Sequence, residues 1–138
     1  MISVLIVEND FMIADCLEEI LLEAGYDVCG IAGTVADAIE LGERLRPDLG
    51  LIDVCLSNGG NGTKVAEALR RRGAFGVLYV TGNPEYPVLS GAEGEGCLTK
   101  PYSASSLIAA LRIVSDLAAN RPTAGTFPRE FRRLGAVI

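Results

Sequence analysis

Six side chains from separate parts of this sequence could meet to do one kind of chemistry. Glu8, Asn9 and Asp10 come directly after an apolar run, Asp53 closes a second, and Thr81 and Lys100 end two more. If those runs are parallel strands of one open sheet, all six collect just beyond the strands' carboxyl ends, where such sheets carry their sites. Carboxylates gathered there stay ionised only with a hard cation among them. Mg2+ suits oxygen ligands and keeps waters that a phosphoryl group can displace. A carboxylate can also be the nucleophile, taking a phosphoryl group as an aspartyl phosphate. The cation, the lysine and a hydroxyl donor would then neutralise charge spread over the transferring oxygens. The chain contains no histidine. Ser-His-Asp and Cys-His catalysis are therefore excluded, and no imidazole base of its own takes part.

The surrounding periodicities predict the sheet that would bring these residues together. Ile2–Val7, Val28–Ala32, Leu49–Asp53, Gly76–Val80 and Gly96–Thr99 are short apolar runs, the pattern of buried strands. After Asp10 the spacing turns helical, with Ile13, Leu17, Ile20 and Ala24 on one stripe and Gly25 as the stop. Thr34 and Asp37 resemble a capping box for a helix carrying Val35, Ala38, Ile39 and Leu45, which Pro47 closes. A Gly- and Asn-rich loop, Ser57–Gly62, leads into a helix ended by Gly73. Ser103 caps a long helix striped by Leu107, Leu111, Val114 and Ala118. This alternation predicts a three-layer, doubly wound α/β domain over residues 1–120, built on a five-stranded parallel sheet covered on both faces. Residues 82–95 hold two prolines and three glycines, leaving room for a turn or two of helix near Pro84–Ser90. Residues 121–138 form a C-terminal extension in which Phe127, Phe131 and Leu134 have the spacing of a short amphipathic helix.

VENDF after the first strand, LIDVCL around Asp53, VTG at Thr81 and KPY at Lys100 occur in an order and spacing that resemble a response-regulator receiver domain. The likeness covers residues 2 to about 119. VTG and the shortened segment after it are further similar to single-domain receivers common in alphaproteobacteria. The resemblance implies a flavodoxin-like sheet of order 2-1-3-4-5 with a shortened fourth helix. It implies Asp53 as phosphoacceptor, Thr81 as the hydroxyl that closes on the phosphoryl group, and Lys100 as its cationic partner. Glu8 and Asn9 would be the metal positions of the first loop, with Asp53 and the Cys55 backbone carbonyl completing a Mg2+ site. Most receivers have Asp where Asn9 stands. An amide oxygen brings no charge, and Asp10 is placed to compensate through a water. Most also carry an aromatic where this chain has Cys97, and Tyr102 is not its positional equivalent. The implied donor is the phosphohistidine of a histidine kinase or phosphotransfer protein, and the implied output is contact with a downstream protein partner. Chemistry would be limited to phosphorylation and dephosphorylation of Asp53 itself.

Other readings compete. Asp53 could be a turn residue, Glu8 and Asp10 first-turn acids favoured by a helix dipole, Lys100 a solvated loop lysine and Thr81 a strand-end residue. Gly59-Gly60-Asn61-Gly62 could cradle phosphate, but no G-K-[ST] follows and a flexible connection is preferred. Arg70-Arg71-Arg72 reads as a solvated helix end. A flavodoxin-like cofactor binder needs a Ser/Thr/Gly phosphate loop after the first strand, and a haloacid-dehalogenase-like phosphatase needs D-x-D there. The sequence E-N-D-F supplies neither. A degenerate receiver that binds partners without phosphorylation is the alternative favoured by Asn9 and Cys97.

Composition narrows the partners. Hydrophobic residues are 49%, charged residues 22%, and mean hydropathy is +0.33, a globular balance. Net charge is −6, yet residues 121–138 hold four arginines against Glu130 alone, so the first 120 residues carry −9. An acidic body argues against direct nucleic-acid binding. The basic, aromatic extension either covers its own domain or docks on a partner or a second copy. Cys16, Cys29, Cys55 and Cys97 form no C-x-x-C and read as reduced, mostly buried thiols of a cytoplasmic protein. Met1 leads straight into a strand-like run without a signal peptide, and no apolar stretch is long enough to span a membrane.

Overall fold

The apolar runs become strands because each can be buried on both faces, and the amphipathic segments between them become the layers that bury them. In chain order these are β1 Ser3–Val7, α1 Phe11–Glu23, β2 Asp27–Ala32, α2 Val35–Leu45, β3 Leu49–Asp53, α3 Thr63–Arg70, β4 Gly76–Thr81, β5 Gly96–Thr99, α4 Ala104–Ala118 and β6 Phe131–Arg133. The computed structural model describes residues 1–56, 60–83, 85–123 and 125–134. Ser57 to Gly59 of the glycine-rich loop, Pro84 of the expected helical turn and residues 135–138 of the extension lie outside the described residues.

The sheet runs β2-β1-β3-β4-β5-β6. The strands are parallel from β2 to β5, in the expected order, and β6 joins antiparallel to β5. The expected five-stranded parallel sheet is thus a six-stranded mixed one, and the amphipathic helix expected around Phe131 is a strand. The reason is non-local. The outer edge of β5 offers unpaired backbone groups, and Gly96 leaves a seat for an aromatic ring. A Cβ at Gly96 would lie 2.4 Å from two ring carbons of Phe131. Among the described residues of 82–95 the regular structure is the short 3-10 turn Pro87–Leu89.

Two apolar layers clamp the sheet. Val4, Ile6, Leu51, Leu78 and Leu98 face α1 and α4, while Leu5, Ile52, Val77 and Tyr79 face α2 and α3. Every residue of the central strand β4 is buried. The buried seam of α1 is Ala14, Leu17 and Leu21, one step round from the expected stripe. Ile13 is 39% exposed. The thiols also differ from expectation. Cys97 is buried and Cys29 half-buried, but Cys16, on the outer side of α1, and Cys55, beyond β3, are exposed. Among the described residues no helix is long and apolar enough to cross a membrane.

Candidate functional site

The carboxyl ends of β1, β3, β4 and β5 share one rim, because those strands are parallel neighbours in near register. Asp53 pairs with Val80, and Thr81 with Thr99. Asp53 is the last residue of β3, and its side chain is only 11% exposed. Lys100 Nζ donates to Asp53 Oδ2 at 3.3 Å, and the Cys55 backbone N–H donates to Oδ1 at 3.0 Å. The loop behind Asp53 is held tightly. The Gly62 N–H donates to the Val54 carbonyl at 2.8 Å, and a Cβ at Gly62 would sit 2.2 Å from the Asp53 carbonyl oxygen. Gly62 therefore lets the backbone close on Asp53 rather than cradling phosphate.

Glu8 is buried, and its Oε2 accepts from the Asp10 backbone N–H at 2.9 Å. Burial raises its pKa; the Asp10 N–H opposes this, the Asp53 charge adds to it, and Lys100 counteracts it. One ammonium thus faces two largely buried acidic side chains. Burial likewise raises the Tyr102 phenol, with Glu8 and Asp53 contributing.

The structure therefore unites Glu8, Asp53 and Lys100. Asn9 is exposed in the same loop. Asp10 is the N-cap of α1, its Oδ1 accepting from Met12 N at 3.0 Å and Ile13 N at 3.4 Å. Thr81 is buried, and its Oγ1 donates to the Asn83 carbonyl at 3.2 Å and accepts from the Asn83 N–H at 3.0 Å. Its backbone carbonyl accepts from Lys100 N at 2.8 Å, tying the two residues' strands together. The Lys100–Pro101 peptide is cis. Two tyrosines near the site were not expected from sequence. Tyr102 borders the carboxylates, and Tyr86 lies near enough to Cys55 for the thiol to raise its phenol. Tyr102 directly follows K-P and had a signal in that adjacency. The approach of Tyr86, 31 residues after Cys55, had none. Among the described residues no group of three or more Cys, Asp or Glu side chains is placed to hold a metal ion. Any cation at this rim would draw on the Glu8–Asp53 pair together with amide, carbonyl and water oxygens.

The family model of the response regulator receiver domain matches residues 4–112. The sensory transduction protein RegX3 of Mycolicibacterium smegmatis is 37% identical over 128 residues, covering 91% of this chain and 55% of that protein. The transcriptional regulatory protein PdtaR of Mycobacterium tuberculosis is 32% identical over 113 residues, covering 80% of this chain and 55% of PdtaR. The chain spans about half the length of these curated relatives. The solution NMR structure of the Erythrobacter litoralis PhyR receiver domain superposes with a TM-score of 0.71 at 27% identity, covering 92% of this chain and 96% of that one.

Proposed function

The chain belongs to the response-regulator receiver family, and on that premise we propose that it accepts a phosphoryl group on Asp53 and signals by protein–protein contact. The observation that carries this is the acceptor's setting. Asp53 is 11% exposed, with an ammonium 3.3 Å from one carboxylate oxygen and a backbone N–H on the other. The N–H fixes the rotamer, and near-burial strips water from the nucleophile.

In the transfer, Asp53 Oδ2 attacks phosphorus, the P–N bond of a donor phosphohistidine breaks, and the electron pair stays on the leaving imidazole. Lys100 follows the added charge from the carboxylate to the phosphoryl oxygens. Thr81 can donate to the same oxygens once it leaves Asn83. A Mg2+ ion fits this donor set, being hard and suited to the Glu8 and Asp53 carboxylates, the Asn9 amide oxygen and the Cys55 carbonyl. When bound, it supplies charge neutralisation at the transferring oxygens. Asp10, with Oδ1 committed to its helix, reaches such an ion only through a water. Exposed Phe11 and Met12 lie on the first turn of α1, directly after this loop, and offer an apolar surface for the donor protein.

Incubation with Mg2+ and acetyl phosphate tests the reading, with intact mass as the readout. We expect one added phosphoryl mass on wild type and none on Asp53→Asn. Equal labelling of the two would remove Asp53 as acceptor. A second reading, an interaction module independent of phosphorylation, draws on Asn9 and on Cys97, which is a buried thiol where an aromatic switch would stand. It requires partner binding that Asp53→Ala leaves unchanged.

A further inference from the structure

The C-terminal strand is wired to both segments that end at the acceptor. On one side, Thr81 Oγ1 bonds both backbone groups of Asn83, Asn83 Oδ1 accepts from Glu85 N at 3.0 Å, and Arg132 Nη1 donates to Glu85 Oε1 at 3.3 Å. Three links lead from the hydroxyl at the end of β4 to the middle of β6. On the other side, the Thr99 N–H donates to the Glu130 carbonyl at 2.9 Å, one residue before Lys100. The strand itself is short, three residues anchored by the buried ring of Phe131. Residues 119–130 separate it from α4, and those of them that are described lie in neither helix nor strand.

These contacts set up a competition. Thr81 Oγ1 has one proton, and in the structure that proton goes to Asn83. A phosphoryl group on Asp53 presents charged acceptor oxygens, which make the stronger hydrogen bond. Turning the proton to them breaks the bond to the Asn83 carbonyl and loosens the turn that carries Glu85. Lys100, drawn to the same oxygens, shifts the end of β5 against Glu130. Cys97 leaves this family position without an aromatic, so the signal has another route through the loop to the tail.

We propose that the outer edge of β5 is an interaction surface for an extended partner segment, that β6 is its built-in competitor, and that Thr81 releases β6 on turning to a phosphorylated Asp53. This rests on the phosphoryl-accepting reading above. The resident strand shows what the edge selects. Its occupant is extended, seats an aromatic ring over Gly96 and places a basic side chain against Glu85. A partner that adds a strand here matches that aromatic-basic pattern and takes its affinity from main-chain bonds to β5.

The test uses the full chain with Mg2+ and acetyl phosphate, reading intact mass and amide exchange on one sample. In the phosphorylated fraction, exchange of the Thr99 and Leu134 amides, which bond between β5 and the tail segment, rises at least about tenfold. The β1 and β3 amides stay protected. A fluorescent peptide of residues 126–134 binds the phosphorylated chain about tenfold more tightly than the unmodified one. Phosphoryl mass with unchanged Thr99 and Leu134 exchange overturns the inference while the receiver reading stands, as does equal peptide binding in both states. Absence of phosphoryl mass defeats the receiver reading, and a second arm then decides the latch by itself. Thr81→Ala removes the first link, and without any phosphodonor it should raise exchange at Leu134 about fivefold, the equilibrium value of one hydrogen bond. Thr81→Ser should restore protection. A folded Thr81→Ala chain with wild-type exchange at Leu134 overturns the latch.

Discussion

Gly96→Ala should detach β6 while leaving the rest of the sheet intact. The added methyl carbon would sit 2.4 Å from two carbons of the Phe131 ring and 3.3 Å from the Arg132 carbonyl oxygen. Ordinary carbon–carbon contact is about 3.5–4.0 Å, so the overlap with the ring exceeds 1 Å by roughly a tenth or more. β5 is held by β4 on its other side, and the ring packs edge-on against Phe127. The cheapest escape is for β6 to leave, and this bounds the cost. Burying a phenylalanine contributes about 1.5–3 kcal/mol. The perpendicular Phe127–Phe131 pair, with centroids 5.2 Å apart, adds about 0.5–1.5 kcal/mol. Ordering of the tail offsets part of this, so Gly96→Ala should lower the unfolding free energy by about 2–4 kcal/mol. Phe131→Ala should cost a similar amount by removing the same anchor. The double variant should cost no more than Phe131→Ala, since no ring remains to clash and alanine in a strand is favoured over glycine by about 0.5–1 kcal/mol. Urea unfolding followed by far-ultraviolet circular dichroism measures all three. Additive losses in the double variant would refute the reasoning, because the two changes would then act through separate contacts.

Other outcomes follow from the rim and the thiols. The Glu8 carboxyl, raised by burial first and by Asp53 among the rest, contributes stability below its ordinary pKa of 4.5 that is lost as pH rises through its higher folded value. Glu8→Gln should therefore raise Tm at pH 7 without Mg2+ and reduce the further rise that Mg2+ brings; a lower Tm without Mg2+ would contradict this sign. Asp10→Ala should cost about 1 kcal/mol by removing the cap of α1, whereas Asp10→Asn, an equally good cap, should be close to neutral in urea unfolding. Cys97 is buried with its thiol pushed up to about 11, so at pH 8 iodoacetamide should modify exposed Cys16 and Cys55 and reach Cys97 only after denaturation, as peptide mass mapping would show.

The parallel core and the rim were legible because both depend on local pattern joined to one topological rule. Five apolar runs placed five strands, and the carboxyl-end rule brought Glu8, Asp53 and Lys100 to one place. The cap at Asp10 was equally local. What escaped was set by partners distant in sequence. Phe131-Arg132-Arg133 carries no alternation that marks a strand, and its spacing with Phe127 and Leu134 suits a helix better. Only the free edge of β5 and the bare Cα of Gly96 decide otherwise. The exposed thiols escaped for a related reason. Cysteine is buried on average, but Cys16 on α1 and Cys55 beyond β3 are exposed. Thr81 could be placed on the rim from sequence, but its commitment to Asn83 follows from the fold of the shortened segment.

That shortened segment also explains why the extension packs where it does. The described part of 82–95 holds one 3-10 turn, and it is β6 that pairs with the outer edge of β5. An exposed edge with unpaired N–H and C=O groups invites pairing with other chains. A three-residue strand closes it and presents exposed Arg132 and Arg133, charges that discourage a further strand from adding to its own outer side. The charge division has the same logic. The basic tail returns to an acidic body, and the contact between Arg132 and Glu85 joins them at the loop that follows Thr81. That ion pair is largely exposed, with side chains 52% and 81% accessible, and such pairs contribute only about 0–1 kcal/mol. Its weakness suits a releasable contact. The anchoring free energy resides in the Phe131 ring and the β5 ladder, and the Arg132–Glu85 pair adds only a small bias on top of it.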